Sequence, residues 1–140
     1  MNRHDKYKLL VVDDDNTNLE MLSIFLMKHD FAVFKAKGGV DALRLVKTTR
    51  PDLVLLDIMM PDMDGYKVLE EIRKQHTKKA LPVIMVSAMM EYEDERKAMK
   101  KGANDYIIKP IDFRSLIPRI ESQLAFRGVS GRVCDYYATL

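Results

Sequence analysis

The sequence predicts an α/β fold, a single doubly wound domain of (βα)5 type built on a parallel five-stranded sheet. Two observations predict it. Apolar runs of strand length alternate with segments whose apolar residues recur at helical spacing. The central runs are apolar throughout, as strands are when helices cover both sheet faces. Right-handed crossovers then leave few topologies.

The elements follow in order. Lys8 to Val12 (KLLVV) is a short, solidly apolar strand. Asn16 to Lys28 is a helix with Leu19, Leu22 and Leu26 on one stripe. Phe31 to Ala36 alternates, so it is a half-exposed strand at a sheet edge. Gly39 to Thr48 is a second helix carrying Ala42, Leu43 and Val46. Leu53 to Leu56 is a buried strand, and Asp64 to Gln75 a helix with Leu69 and Ile72 inward. Val83 to Val86 is a strand introduced by Pro82. Glu91 to Lys101 is a helix with few apolar residues, stopped by Gly102. Asp105 to Ile108 is the fifth strand, and Asp112 to Arg127 the last helix, with Phe113, Leu116, Ile117, Ile120 and Leu124 at helical spacing. Pro118 removes one hydrogen bond inside that helix, so a kink or a late start is expected. The domain spans residues 1–127. Residues 128–140 have no clear periodicity and read as a tail or a severed linker.

Bulk composition narrows the function classes. The chain has 140 residues, enough for one ordinary domain. Charged residues make up 31% at a formal net charge of +2, so no dedicated nucleic-acid surface is expected. Cys134 is the only cysteine, which excludes an intrachain disulfide and suits a reducing cytosol. No apolar stretch approaches membrane-spanning length and no signal-peptide pattern opens the chain. The expectation is a soluble cytoplasmic protein with no membrane partner.

The chemistry gathers at one end of the sheet. Ligands of doubly wound sheets bind beyond the carboxyl ends of the strands. There the sequence places Asp13, Asp14 and Asp15, then Asp57, then Ser87 and Ala88, then Lys109 and Pro110. Asp13, Asp14 and Asp57 held together would repel one another, and a hard divalent cation relieves the conflict. Mg²⁺ suits such a site, with Mn²⁺ as a substitute. A carboxylate flanked by that metal and by Lys109 stays ionised and is a nucleophile toward phosphorus. Metal, ammonium and the Ser87 hydroxyl together suit the three oxygens of a transferring phosphoryl group.

Four segments, "LLVVDDDNTNLEML", "PDLVLLDIMMPDMDGYKVLEEIR", "LPVIMVSAMM" and "GANDYIIKPID", carry a resemblance to a known family. Over roughly Lys8 to Arg127 the chain resembles the receiver domain of bacterial two-component response regulators, the flavodoxin-like family that includes the chemotaxis regulators. The resemblance implies strand order 2-1-3-4-5. It implies that Asp57 is the phosphoacceptor, that Asp14 binds the metal directly and Asp13 through water, and that the Met59 carbonyl completes the protein's share. It assigns Ser87 and Ala88 to phosphoryl binding, Lys109 to pairing with the phosphoryl group, and Tyr106 to an aromatic switch that turns inward as Ser87 moves. It implies a cis Lys109–Pro110 peptide. Met60-Pro61 and Asp64-Gly65 would shape the loop and start the third helix. The implied partners are a sensor histidine kinase or a histidine phosphotransfer protein, and a homodimer through the fourth helix, fifth strand and fifth helix is a further expectation. Met59 and Met89 occupy positions that border the path of hydrolytic water in this family, so slow loss of the phosphoryl group is expected.

Plainer readings stand beside these. Asp57 alone fits a turn aspartate, but not with Lys109, Ser87 and Asp13-Asp14 all present. Asp15 fits a cap of the first helix better than a metal ligand. Tyr106 also fits a packing aromatic, and Ser87 an ordinary turn serine. Met59, Met60, Met63, Met85, Met89 and Met90 fit core and loop packing better than a soft-metal site. His4, His29 and His76 show no ligand spacing and read as surface residues. Tyr92 is partner-facing or merely exposed. "DDDNT", Asp13 to Thr17, also fits the nucleophile motif of haloacid-dehalogenase-type phosphatases. That alternative leaves Asp57 without a role and lacks room for a capping domain. A receiver-like adaptor that only binds partners would need a defective acceptor site. The sequence does not distinguish a stand-alone regulator from a receiver cut out of a longer chain.

Overall fold

The computed structural model describes residues 7–89 and 91–129. The expectations for His4, Met90, Cys134 and the tail from residue 130 onward fall outside them. Ten elements alternate: β1 (Lys8–Val12), α1 (Asn16–Lys28), β2 (Ala32–Ala36), α2 (Gly39–Thr49), β3 (Leu53–Asp57), α3 (Gly65–Arg73), β4 (Val83–Ser87), α4 (Tyr92–Lys100), β5 (Asp105–Ile108) and α5 (Phe113–Val129). The five strands form one sheet in the order β2-β1-β3-β4-β5, and every pairing is parallel.

Side chains of a strand alternate between faces, and the core divides accordingly. Leu10, Val12, Val54, Leu56, Val83 and Met85 join Ala42, Val46, Leu69, Ile72 and Ala98 in one cluster, beneath α2, α3 and α4. Leu9, Val11, Leu53, Leu55, Ile84 and Val86 join Leu19, Leu22, Leu26, Leu116, Ile120 and Leu124 in the other, beneath α1 and α5. Because the three central strands feed both clusters, they lose all polar alternation. β2 lies at the edge, with Ala32 and Lys35 exposed and Ala36 buried.

The helices start where side chains take up free backbone donors. Asp15 caps α1 by accepting the Asn18 N–H at 3.1 Å. Asp64 caps α3 by accepting the Lys67 N–H at 3.0 Å. α5 neither starts late nor breaks at Pro118. Pro118 is exposed, and the Arg114 carbonyl that its missing N–H would have met belongs to an exposed residue, so the lost bond falls on the solvent side of the helix. Asp112 lies outside the helix and accepts the Arg114 N–H at 3.0 Å.

β3 and β4 each run one residue past their apolar stretch. Asp57 registers with Val86 and Ser87 with Ile108. The ladder is a backbone property, so it carries the first polar residue with it. Asp57 and Ser87 are therefore the last rungs of central strands, not the first residues of loops. Among the described residues, no helix is long and apolar enough to cross a membrane.

Candidate functional site

Strand order brings the polar residues together. β1 and β3 are neighbours, and β4 and β5 follow on one side. Asp13 leaves the end of β1, Asp57 and Ser87 close β3 and β4, and Lys109 leaves β5. Asp13, Asp57 and Ser87 are the buried polar residues at this end of the sheet, while Asp14 is exposed. One carboxylate oxygen from each of Asp13, Asp14 and Asp57 lies within 4.8 Å of the others.

Lys109 spans the cluster. Its Nζ donates to Asp13 Oδ2 at 2.9 Å and lies 3.5 Å from Asp57 Oδ2. The other Asp13 oxygen accepts the Asp15 N–H at 2.9 Å, and the Asp13 N–H donates to the Ala36 carbonyl at 3.1 Å. Asp13 is thus fixed through both carboxylate oxygens and its backbone. Among the described residues, the Asp57 carboxylate is paired with Lys109.

The electrostatics follow from burial. Burial pushes the Asp57 carboxyl up to about 6; Lys109 opposes the rise, and the neighbouring charges of Asp13 and Asp14 add to it. Burial also works against the Lys109 charge, but its contacts with Asp13 and Asp57 outweigh that and hold its ammonium above the ordinary value. Three carboxylates face one ammonium, an imbalance of charge in a partly desolvated cup. All the donors are hard oxygens, which is the set a hexacoordinate divalent ion such as Mg²⁺ takes alongside water. The residues fit that group.

The loop after Asp57 is held tightly at its base. The Gly65 N–H donates to the Ile58 carbonyl at 2.7 Å. A Cβ on Gly65 would lie 2.3 Å from the Asp57 carbonyl oxygen, so only glycine lets α3 start against the acceptor's own backbone. Met59 and Pro61 project from the loop, with Met59 65% exposed. Met59 is therefore not a packing residue, whereas Met60 and Met85 are buried and Met63 and Met89 pack against the core. His29 and His76 are half-buried rather than surface residues; the His29 ring sits 4.7 Å from that of Phe25.

On the other wall, Ser87 and Tyr106 grip the same residue. The Ser87 Oγ accepts the Met89 N–H at 3.1 Å, and the Tyr106 hydroxyl donates to the Met89 carbonyl at 2.8 Å. The Tyr106 ring is buried, and burial raises its phenol above the ordinary value. Ala88 between them is exposed. The Lys109 N–H donates to the Ser87 carbonyl at 2.8 Å, and the Lys109–Pro110 peptide is cis.

Two residues absent from the sequence reading carry conspicuous contacts. Asp62 reaches from the β3–α3 loop to the start of α2, accepting the N–H groups of Gly39 and Val40 at 3.1 and 3.2 Å. A sequence signal existed: α2 opens on Gly38-Gly39 with no capping side chain of its own. Arg73, at the opposite end of the sheet, donates to the carbonyls of Gly102 and Leu81 at 2.7 and 2.9 Å and to Asn104 Oδ1 at 2.9 Å. Burial lowers its guanidinium to about 10. Nothing local in the sequence marks it.

A cavity of about 500 Å³ adjoins the site between the β3–α3 loop and α4, lined by Met59, Met60, Tyr66, Met89 and Lys97 among others.

Comparison with known proteins agrees with this geometry. A family model described as the response regulator receiver domain matches residues 9–121. Protein PilH of Pseudomonas aeruginosa is 36% identical over 118 residues, covering 84% of this chain and 98% of that protein. The probable transcriptional regulator ycf27 of Cyanidium caldarium is 40% identical over 119 residues, covering 85% of this chain and 47% of the relative, so the chain spans about half its length. Among solved structures, a CheY-like receiver domain protein from Methanospirillum hungatei superposes with a TM-score of 0.83 at 29% identity, covering 89% of this chain and 98% of that one. The BeF3-activated N-terminal receiver domain of Klebsiella pneumoniae RstA gives 0.79 at 30% identity, covering 84% and 97%.

Proposed function

The chain belongs to the response regulator receiver domain family, the signal-transduction module of two-component systems, and on that premise we propose that Asp57 accepts a phosphoryl group from a histidine kinase or histidine phosphotransfer protein. The observation that carries this reading is the Lys109 ammonium set between Asp13 and Asp57, at 2.9 and 3.5 Å, beside a three-carboxylate cup.

The chemistry follows from the contacts. An Asp57 oxygen attacks phosphorus as the P–N bond to the donor imidazole breaks, and the departing ring nitrogen takes a proton. Lys109 keeps Asp57 ionised at neutral pH and then pairs with an equatorial oxygen of the transferred group. Asp14, Asp57 and the Met59 carbonyl, with Asp13 through water, would hold Mg²⁺ or Mn²⁺. When bound, that ion supplies charge neutralisation for the phosphoryl oxygens. The chain catalyses its own modification and does not turn over a substrate.

The phosphoryl group then competes for the Ser87 hydroxyl and the Ala88 N–H. If Ser87 turns toward it, the Met89 N–H loses its acceptor, and the Met89–Tyr106 bond is the next to rearrange. The readout face is α4, β5 and α5, where Tyr92, Met99 and Ile108 are exposed. These residues favour docking of a partner, an output domain or a second copy there. Met59 and Met89 flank the route of hydrolytic water and slow release. Use of Asp13 as a phosphatase nucleophile draws no support: both its oxygens are already engaged, and the family match is to receivers.

Intact-mass spectrometry after incubation with acetyl phosphate and Mg²⁺ tests the reading. Wild type gains one phosphoryl group and Asp57→Asn gains none. Labelling that persists in the variant and maps to Asp13 overturns it.

A further inference from the structure

The metal-binding cup is assembled from two loops, and a third ties them together. The Asp13 backbone is bonded to Ala36 at the end of β2 by the 3.1 Å N–H···O contact. Two residues on, Gly38 begins the turn into α2. That helix has no capping side chain of its own, so its first N–H groups need an acceptor from elsewhere. Asp62 supplies it across 23 residues of sequence, one oxygen to Gly39 and the other to Val40. Those two N–H groups hold the Asp62 carboxyl below its ordinary range. Asp62 lies three residues after Met59, in the loop whose base is fixed by Gly65; Met60 and Met63 anchor that loop to the core through their side chains, and Asp62 ties it to the start of α2.

We infer that Asp62 is a positioning residue for the metal cup: by fastening the β3–α3 loop to the β2–α2 turn, it sets the Met59 carbonyl relative to Asp13 and Asp14. The inference rests on the proposed metal-dependent reading of the site. The fit is close. A Cβ on Gly38 would lie 2.8 Å from both Asp62 carboxylate oxygens. Gly38 is extended at φ −164°, so alanine is unstrained there and acts only by pushing the Asp62 carboxylate away.

Two variants approach the tether from opposite sides. Asp62→Ala removes the acceptor, and Gly38→Ala displaces it while keeping every functional group. Calorimetric titration with Mg²⁺ at pH 7.5 should show the Kd weakened at least fivefold in both. Amide exchange of Gly39 and Val40 in the metal-free proteins should quicken by a similar factor. Asp62→Asn, which keeps one acceptor oxygen, should fall between wild type and Asp62→Ala. A wild-type chain that binds Mg²⁺ while both variants bind it equally well, with only faster exchange or lower stability, makes Asp62 a simple helix cap and overturns the inference. A wild-type chain that binds no Mg²⁺ overturns the reading of the site, and this inference with it.

Discussion

Replacing Asp57 by asparagine should stabilise the metal-free protein. Burial on folding pushes the Asp57 carboxyl from the ordinary carboxylate range up to about 6. At ~1.4 kcal/mol per unit the ceiling is about 3 kcal/mol. The cup opens to water on one side, and the substitution would leave Lys109 with Asp13 alone, so about 1–2 kcal/mol survives as a net gain. The sign is fixed by linkage. The folded carboxyl binds its proton more tightly than the unfolded one, so the wild-type chain loses stability as pH rises from about 4 to about 6 and carries the full penalty above that. The variant has no such titration. Urea unfolding followed by far-UV circular dichroism, in EDTA, should show Asp57→Asn more stable by about 1–2 kcal/mol at pH 7.5. The difference should shrink toward zero at pH 4. Saturating Mg²⁺ should reverse the order, because a ligand at ~100 times its Kd adds about 2.7 kcal/mol to the wild type. Equal or lower stability of the variant in EDTA at pH 7.5 refutes the electrostatic reasoning, as does a gain that is the same at pH 4.

Other outcomes follow from specific contacts. Met59→Asn combined with Met89→Asn should shorten the phosphoryl lifetime several-fold, read by loss of the added mass over time; an unchanged lifetime removes these side chains from the water path. Gly65→Ala should cost about 2–3 kcal/mol and disturb Asp57 labelling, since its Cβ would enter the van der Waals space of the Asp57 carbonyl; near-wild-type stability would show that α3 shifts freely. Arg73→Gln should cost about 2–4 kcal/mol by leaving buried carbonyls without donors, while labelling of Asp57 proceeds at the wild-type rate. A labelling defect there would mean that the far end of the sheet reaches the site.

The sheet was legible because its signal is redundant. Leu53 to Leu56 and Val83 to Val86 are apolar on both faces, and only a doubly covered strand needs that. β2 was legible as an edge because Ala32 and Lys35 break the pattern. The acidic cup could be assembled from strand ends alone, since parallel strands deliver their last residues to one edge. The one-residue extension to Asp57 and Ser87 was not legible, because hydrogen-bond register ignores side-chain polarity. The helix through Pro118 was legible from its apolar spacing, but its start at Phe113 rather than later was not: the cost of proline depends on whether its orphaned carbonyl is open to solvent. Asp62 and Arg73 escaped because their partners are backbone groups 23 and 29 residues away. Periodicity carries no trace of such contacts.

The double grip on Met89 has a consequence for how this chain can diversify. Ser87 and Tyr106 hold its N–H and its carbonyl, and neither bond consults the side chain. Met89 also lines the cavity beside the acceptor loop. On the proposed reading, the path from hydroxyl to ring runs through the Met89 backbone, across two successive peptide groups, and the lifetime of the phosphoryl group is set at the side chain. On that reading a substitution at position 89 would reset how long the signal lasts while leaving what the signal says untouched, so descendants of this protein would be retuned for fast or slow circuits without relearning their partners.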